Sequence, residues 1–445
     1  MSNVAVLVIL FVAVLVSQIA KSAESDKRRT FAELGLTALG AEKAGNMEGT
    51  IPAWNKSEVL SQQRLDEIAN EKPLFYITQE NLNEHRTHLS VGVQALINKY
   101  PDTFKVPVYN SYRTHHVPDY IYQATAKNYL SAELIDEGNG IKNVWQGVPF
   151  PVPENAQQVL WNHLVSWRGV HIKVNYTEVL VQENGSFQEI VSRGEVASPY
   201  NAPDRDIFAD RHVKTYYLTR TLSPANLAGG GLLIYDTLNQ RLNPRKVWFY
   251  DAQQRRVIRI PDLGHDTPNP NSEMVRVVDE VDLFNGLPER YHWKLLGKKE
   301  LYIPYNNNRL INMDIDQLTQ KHHIDLTNAR FELHRVWVVE GVLKEDHRHI
   351  YGRRRMYIDE DSWITMHAEQ YDKHDALWRV SLSYTKFYPE MPGIWKVVDT
   401  YHDLKTSQHF SQLVKGGADN KVEFSNELPS KRHFSPGALR QSSRR

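Results

Sequence analysis

The side chains with the chemistry to act on an ion or a substrate are mostly histidines and clustered carboxylates. His347-Arg348-His349 places two imidazoles on one side of an extended chain, as two strand-borne metal ligands would require. Lys344, Glu345 and Asp346 precede them, so the expectation is a polar hairpin end rather than a metal site. The adjacent pairs His115-His116 and His322-His323 point apart in an extended chain. His163 stands on an apolar helical stripe, where a core imidazole with one hydrogen-bond partner competes with a catalytic base. Two acidic runs, Asp279-Glu280-Val281-Asp282 and Asp359-Glu360-Asp361, hold paired carboxylates of the kind used with calcium or in glycosidic chemistry. As turns between strands they are expected to be solvated.

The motifs of the common hydrolases and nucleotide enzymes do not occur. There is no G-x-S-x-G, no H-E-x-x-H and no G-x-x-x-x-G-K. Gly229-Gly230-Gly231 is followed by the strand-like Leu232 to Tyr235, whereas a phosphate cradle needs a helix there. The chain has no cysteine, which excludes disulfides and thiolate chemistry. The residues therefore assign no catalytic group, no metal site and no cofactor. The competing enzyme reading is a hydrolase using His163 or the His347/His349 pair.

Aromatic residues are the other signal. Trp145, Phe150, Trp161, Trp167, Trp248, Trp293, Trp337, Trp363, Trp378 and Trp395 are spread over helix and strand patterns, where they either line a cavity or fill a core. The candidate lining of a hydrophobic cavity is Phe150, Leu160, Trp161, Leu164, Trp167, Trp248, Trp293 and Trp337.

These residues must be positioned by the elements around Gly147 to Gly169. Pro149, Pro151 and Pro153 keep that segment extended, and Pro153 can open a helix because a first-turn proline loses no helical bond. Ala156, Val159, Leu160, His163, Leu164 and Trp167 recur at helical spacing, with Gln157, Gln158 and Asn162 elsewhere, and Gly169 is a natural stop. The expected helix is 153–168. Trp161 falls off the stripe and implies a second buried surface.

After this helix the period becomes two. Alternating runs begin at Val170, and Asn184-Gly185 supplies a tight hairpin turn. Further runs at 246–250, 255–260, 291–303, 331–340, 353–358, 363–371, 377–388 and 394–401 predict an antiparallel meander. One face is expected to be charged and wet, the other aromatic. So long a sheet must close into a barrel or curl around something. Before it, 57–70 and 78–100 read as helices and the rest as an extended wrapping arm.

The 53 basic and 53 acidic residues cancel, so no net field favours nucleic acid or an anionic membrane. Val4 to Val16 is an unbroken apolar run followed by Ala20, Ser22 and Ala23, the pattern of a cleaved secretory signal, although no Lys or Arg precedes it. An uncleaved anchor is the alternative. Without cysteine the chain is not expected to be a lipoprotein. The sequons at Asn55, Asn175 and Asn184 are treated as chance.

Several stretches resemble a bacterial family, the domain-of-unknown-function family thirteen twenty-nine, grouped with the LolA-like outer-membrane lipoprotein-sorting fold. They are GAEKAGNMEGTIPAW (40–54), EKPLFYIT (71–78), GVPFPVPENAQQVLWNH (147–163), LAGGGLLIYDTLNQ (227–240), PRKVWFYDAQQRRVIRIP (244–261), DLFNGLPERYHWKLLGKKELYIPYN (282–306) and FELHRVWVVEGVLK (331–344). The resemblance implies a curved antiparallel half-barrel with helices in its concave mouth, in a periplasmic protein that holds or moves a hydrophobic molecule, a lipid or lipoprotein acyl chain. It also implies an envelope exporter of the resistance-nodulation-division (RND) type as partner, with only peripheral or transient membrane contact. The resulting division is a signal peptide at 1–23, a helical and extended arm at 24–146, a half-barrel at 147–410 with a lid helix at 153–168, and a polar, basic, frayed tail at 411–445. Besides a carrier, the open alternatives are an envelope hydrolase and a structural outer-membrane-associated adaptor.

Overall fold

A computed structural model describes residues 29–56, 60–204, 212–261, 264–414 and 422–442. The expected signal segment lies outside them. Among the described residues no helix is long and apolar enough to cross a membrane.

The helices are α1 (Gln62–Asn70), α2 (Leu82–His85), α3 (Val91–Lys99), α4 (Asp119–Ser131), α5 (Ala156–Leu164), α6 (Ile315–Leu318) and α7 (Pro436–Ser442). The strands of the first half are β1 (Phe75–Ile77), β2 (Val106–Val108), β3 (Glu133–Ile135), β4 (Gly140–Lys142), β5 (His171–Val181), β6 (Phe187–Ala197), β7 (Val213–Ser223), β8 (Gly231–Thr237), β9 (Lys246–Asp251) and β10 (Arg256–Ile260). The second half adds β11 (Tyr291–Pro304), β12 (Phe331–Leu343), β13 (Arg353–Asp359), β14 (Thr365–Tyr371), β15 (Leu377–Tyr388), β16 (Gly393–Asp403), β17 (His409–Leu413) and β18 (Glu423–Ser425).

Among the described residues sixteen strands form one open, curved sheet in the order β1-β2-β12-β13-β14-β15-β16-β17-β5-β6-β7-β8-β9-β10, with β11 beside β12 and β18 beside β5; β3 and β4 pair separately. Nearly every pairing is antiparallel, the single β2–β12 bridge being parallel. The two halves of the chain meet where β17 pairs with β5, which makes one sheet of both meanders. The β5–β6 hairpin closes at Asn184-Gly185, where Gly185 takes φ +92° and Gln182 N–H donates to the Ser186 carbonyl at 2.8 Å.

Three expectations are corrected. The sheet has no single wet face over its middle: all seven residues of β14 are buried, Glu369 and His367 among them. The reason is that α3 packs Val93, Leu96 and Ile97 against Val380, Leu382 and Tyr384, so the face away from α5 is covered as well. The N-terminal arm also contributes strands, since β1 and β2 join the sheet. The C-terminal segment is not frayed over 422–442, because β18 pairs with β5 and the apolar anchors Phe434 and Leu439 are fully buried against Tyr216 and Leu233.

Candidate functional site

Helix α5 is the centre of the main core. Asn155, in extended conformation, caps it by accepting from the Gln158 N–H at 3.0 Å. That cap sets the start at Ala156, three residues after Pro153, so the helix is shorter than the expected 153–168. At its other end the buried Lys214 ammonium donates to the Leu164 carbonyl at 3.4 Å while Asp236 holds it at 3.4 Å, a cation on the negative end of the helix. Burial lowers the Lys214 pKa, and Asp236 opposes this.

Every residue of α5 except Gln157 and Gln158 is buried. The second surface implied by Trp161 is protein: its indole N–H donates to the Gly138 carbonyl at 2.9 Å. Asn162, expected on a polar side, is fully buried and joined to both backbone groups of Phe150. Leu160 and Leu164 face the same core as Phe150 and Trp161. Trp167 lies past the helix end, donating to the Met391 carbonyl at 3.0 Å and meeting Tyr120 edge to face.

His163 has neither proton nor lone pair to spare. Its Nδ1 accepts from the Thr365 N–H at 3.2 Å, and its Nε2–H donates to the Phe284 carbonyl at 3.0 Å. The Trp363 carbonyl also lies 3.1 Å from Nδ1, but two acceptors cannot share that atom in this tautomer, so it is a contact only. Burial lowers the His163 pKa to about 3, so the ring is neutral. It is a core histidine with two partners rather than the one expected.

On the sheet side, β11 and β12 lie against α5. Trp293 donates to the Pro288 carbonyl at 2.7 Å and meets the Phe284 ring edge to face. It lies over Gly341, where an added Cβ would come within 2.7 Å of the ring. Trp337 is half-buried and stacked on Trp363 with centroids 6.1 Å apart, and the Lys298 ammonium sits 4.7 Å over its face. Seven of the eight candidate lining residues thus belong to one apolar body. Trp248 does not. It packs on Tyr235 in a separate cluster with Phe434, at the far end of the sheet.

The acidic runs are not solvated turns. Asp279, Glu280, Asp359, Glu360 and Asp361 are all buried. Arg354 holds Asp279 at 2.8 and 3.1 Å, which depresses its carboxyl below the ordinary range against the opposing effect of burial. Lys396 joins Asp282 and Asp399, each at 2.8 Å. His349 is likewise buried, 3.3 Å from Asp279, whereas His347 is partly exposed and bonded to Asp346 at 2.8 Å. They serve different surroundings and do not form a ligand pair.

The partners of Asn162 and His163 left no trace in the local pattern, because Phe150 is 12 residues and Phe284 is 121 residues away. Two surface clefts, of about 530 and 270 Å³, are lined by other residues, the larger by Tyr120, Lys127, Asn128 and Gln146 among others. The eight candidates pack against protein.

The sequence profile of a family described as "Protein of unknown function (DUF1329)" matches residues 76–440. "Uncharacterized protein PA3922" of Pseudomonas aeruginosa is 37% identical over 444 residues, covering 97% of each chain. Among solved structures, a Vibrio parahaemolyticus domain provisionally described as outer membrane lipoprotein-sorting is 15% identical, covers 61% of this chain and 92% of its own, and has a TM-score of 0.42. A DUF1329 family protein from Desulfovibrio piger is 14% identical over 61% and 92%, with a TM-score of 0.41. The LolA superfamily protein NE2245 from Nitrosomonas europaea is 14% identical over 64% and 98%, with a TM-score of 0.36.

Proposed function

From the premise that the chain belongs to the DUF1329 family, we propose that it is a non-enzymatic carrier for a hydrophobic molecule, a lipid or lipoprotein acyl chain, working in the periplasm and handing its load to an RND-type envelope transporter. The observation that carries the reading is the apolar body between α5 and the inner face of β11 and β12, with Phe150, Leu160, Trp161, Leu164, Trp293 and Trp337 in one continuous cluster. A short helix held inside an open sheet by a few side-chain-to-backbone bonds, at Gly138, Phe150, Phe284 and Thr365, can be exchanged for an apolar chain if those bonds are released together. The gain is burial, about 0.8 kcal/mol per methylene, so roughly ten methylenes offset the bonds given up.

The binding reading is favoured over a hydrolase by the state of the histidines. His163 uses both ring nitrogens on backbone groups, and His349 is turned to a buried carboxylate. The exporter partner rests on the family resemblance and on no contact within the chain.

Extraction of protein purified from its native cells with organic solvent, followed by mass spectrometry, tests the reading. One apolar species near one copy per chain is expected. Recovery of none, together with failure of the lipid-free protein to take up a fluorescent fatty acid, would overturn it.

A further inference from the structure

On the opposite face of the sheet from α5, three side chains bring potential metal ligands together. His334 lies on β12, Asp359 ends β13, and Asp361 follows in the turn to β14, and one ligand atom from each falls within 4.8 Å of the others. Asp359 pairs in register with Val336, two residues from His334, so the sheet itself sets the approach of imidazole and carboxylate. All three are buried.

The surroundings divide the three unequally. Arg113 takes Asp361 with two bonds, at 2.8 and 2.6 Å. Asp359 Oδ2 accepts from the Ser362 N–H at 3.0 Å and the Ser362 hydroxyl at 2.6 Å, but Asp359 Oδ1 is buried without any partner. The Tyr305 hydroxyl is also buried and unpartnered, and its ring stacks on His334 with centroids 4.1 Å apart. His334 Nε2 lies 3.2 Å from a Glu332 oxygen. An imidazole N–H donated to a carboxylate fixes the tautomer and leaves the other nitrogen its lone pair, which is the usual orientation of a metal-bound histidine.

We infer that His334, Asp359 and Asp361 bind a divalent transition-metal ion of the zinc or manganese class. One nitrogen and two carboxylate oxygens suit such an ion better than calcium, which takes six to eight oxygens. Bonds of about 2.1 Å put tetrahedral ligand atoms ~3.4 Å apart, so donors already within 4.8 Å of one another need close by no more than about 1.4 Å when the ion enters. The ion supplies the charge that Asp359 lacks. Asp361 keeps its Arg113 pair and offers a remaining lone pair. The turn that carries these carboxylates also carries Trp363, which stacks on Trp337 across the sheet and donates to the Leu39 carbonyl at 3.0 Å. A bound ion would therefore stiffen one wall of the apolar body as well.

The test uses the full chain, stripped with a chelator and titrated with zinc chloride and separately with manganese chloride by calorimetry, with the unfolding temperature followed in parallel. The parent is expected to bind one ion per chain and to gain unfolding temperature. Asp359→Asn and His334→Asn should each weaken binding beyond the 10–100-fold typical of losing an outer partner. Asp359→Asn should nevertheless be at least as stable as the ion-free parent, since it removes a buried charge. His347→Ala, at the exposed hairpin end, should bind like the parent. If Asp359→Asn does not fold, His334→Asn decides. Absence of stoichiometric binding to the parent, or equal affinity in the parent and the folded variants, overturns the site and leaves Asp359 a buried carboxyl with a proton or a water only.

Discussion

Asn162 holds Phe150 by both of its backbone groups, its amide oxygen accepting from the Phe150 N–H at 2.9 Å and its NH₂ donating to the Phe150 carbonyl at 2.7 Å. The pair ties the extended Pro149–Pro153 segment to α5 in place of a strand. Asn162→Leu keeps the branched shape but strands two buried backbone groups. It is expected to cost about 2–4 kcal/mol, read from urea unfolding. Because the strap is one of the ties on α5, the variant should also take up a fluorescent fatty acid faster than the parent. An unchanged rate would separate the strap from access to the interior.

Leu160 is fully buried in the middle of the same body. Leu160→Ala should cost about 2–5 kcal/mol and leave an apolar void. If the interior takes apolar molecules, part of that loss is recovered on adding a small hydrophobic probe such as benzene, seen as a rise in unfolding temperature. Trp248→Phe, in the separate cluster with Phe434, should show no such recovery.

Acid should unfold the protein in a range set by histidine. Burial lowers His115, His163 and His367 to about 3 and His265 and His409 to about 4, and holds His323 and His402 below their ordinary value. Their unfolded value is near 6.5, so between there and about 4 the unfolded chain binds more protons and stability rises with pH. The contribution is complete above about 6.5 and is lost as pH falls. Asp359, raised to about 7, and Glu189, Glu280 and Glu360, raised by burial above their ordinary value, work the other way, their folded forms binding the extra proton, but they are four groups against seven. The net slope from pH 6.5 to 4.5 should reach several kcal/mol per pH unit at its steepest, at about 1.4 kcal/mol per histidine. Denaturant midpoints measured across that range check it, and a flat profile would contradict it.

Arg354 and Asp279 form a buried ion pair beside Phe284, with the guanidinium 5.2 Å from that ring. Arg354→Met alone leaves Asp279 uncompensated and should cost about 3–5 kcal/mol. Adding Asp279→Asn should restore much of it. A double variant as unstable as the single one would show that the guanidinium acts through its ring contacts instead.

The sequence by itself determined many of the sheet's strands, though not β1, β2, β7 or β17. The alternation at 171–181, 291–304 and 377–388 and the Asn184-Gly185 turn are local facts, because a two-residue period and a positive φ are set by neighbouring residues. It also determined that an apolar helix follows Pro153, though not its start at Ala156, and named aromatic residues that, apart from Trp248, pack with it. Only the tertiary structure decided which polar groups are inside. Asp361 reads as part of a solvated turn until Arg113, nearly 250 residues earlier, is brought against it. Asn162 reads as the wet side of a helix until the Phe150 backbone takes both its amide groups. Phe434 and Leu439, in a basic and polar segment, become anchors only because the β7–β8 surface stands uncovered without them. A buried polar group is stable only when its partner arrives, and those partners lie far along the chain, where no local pattern records them.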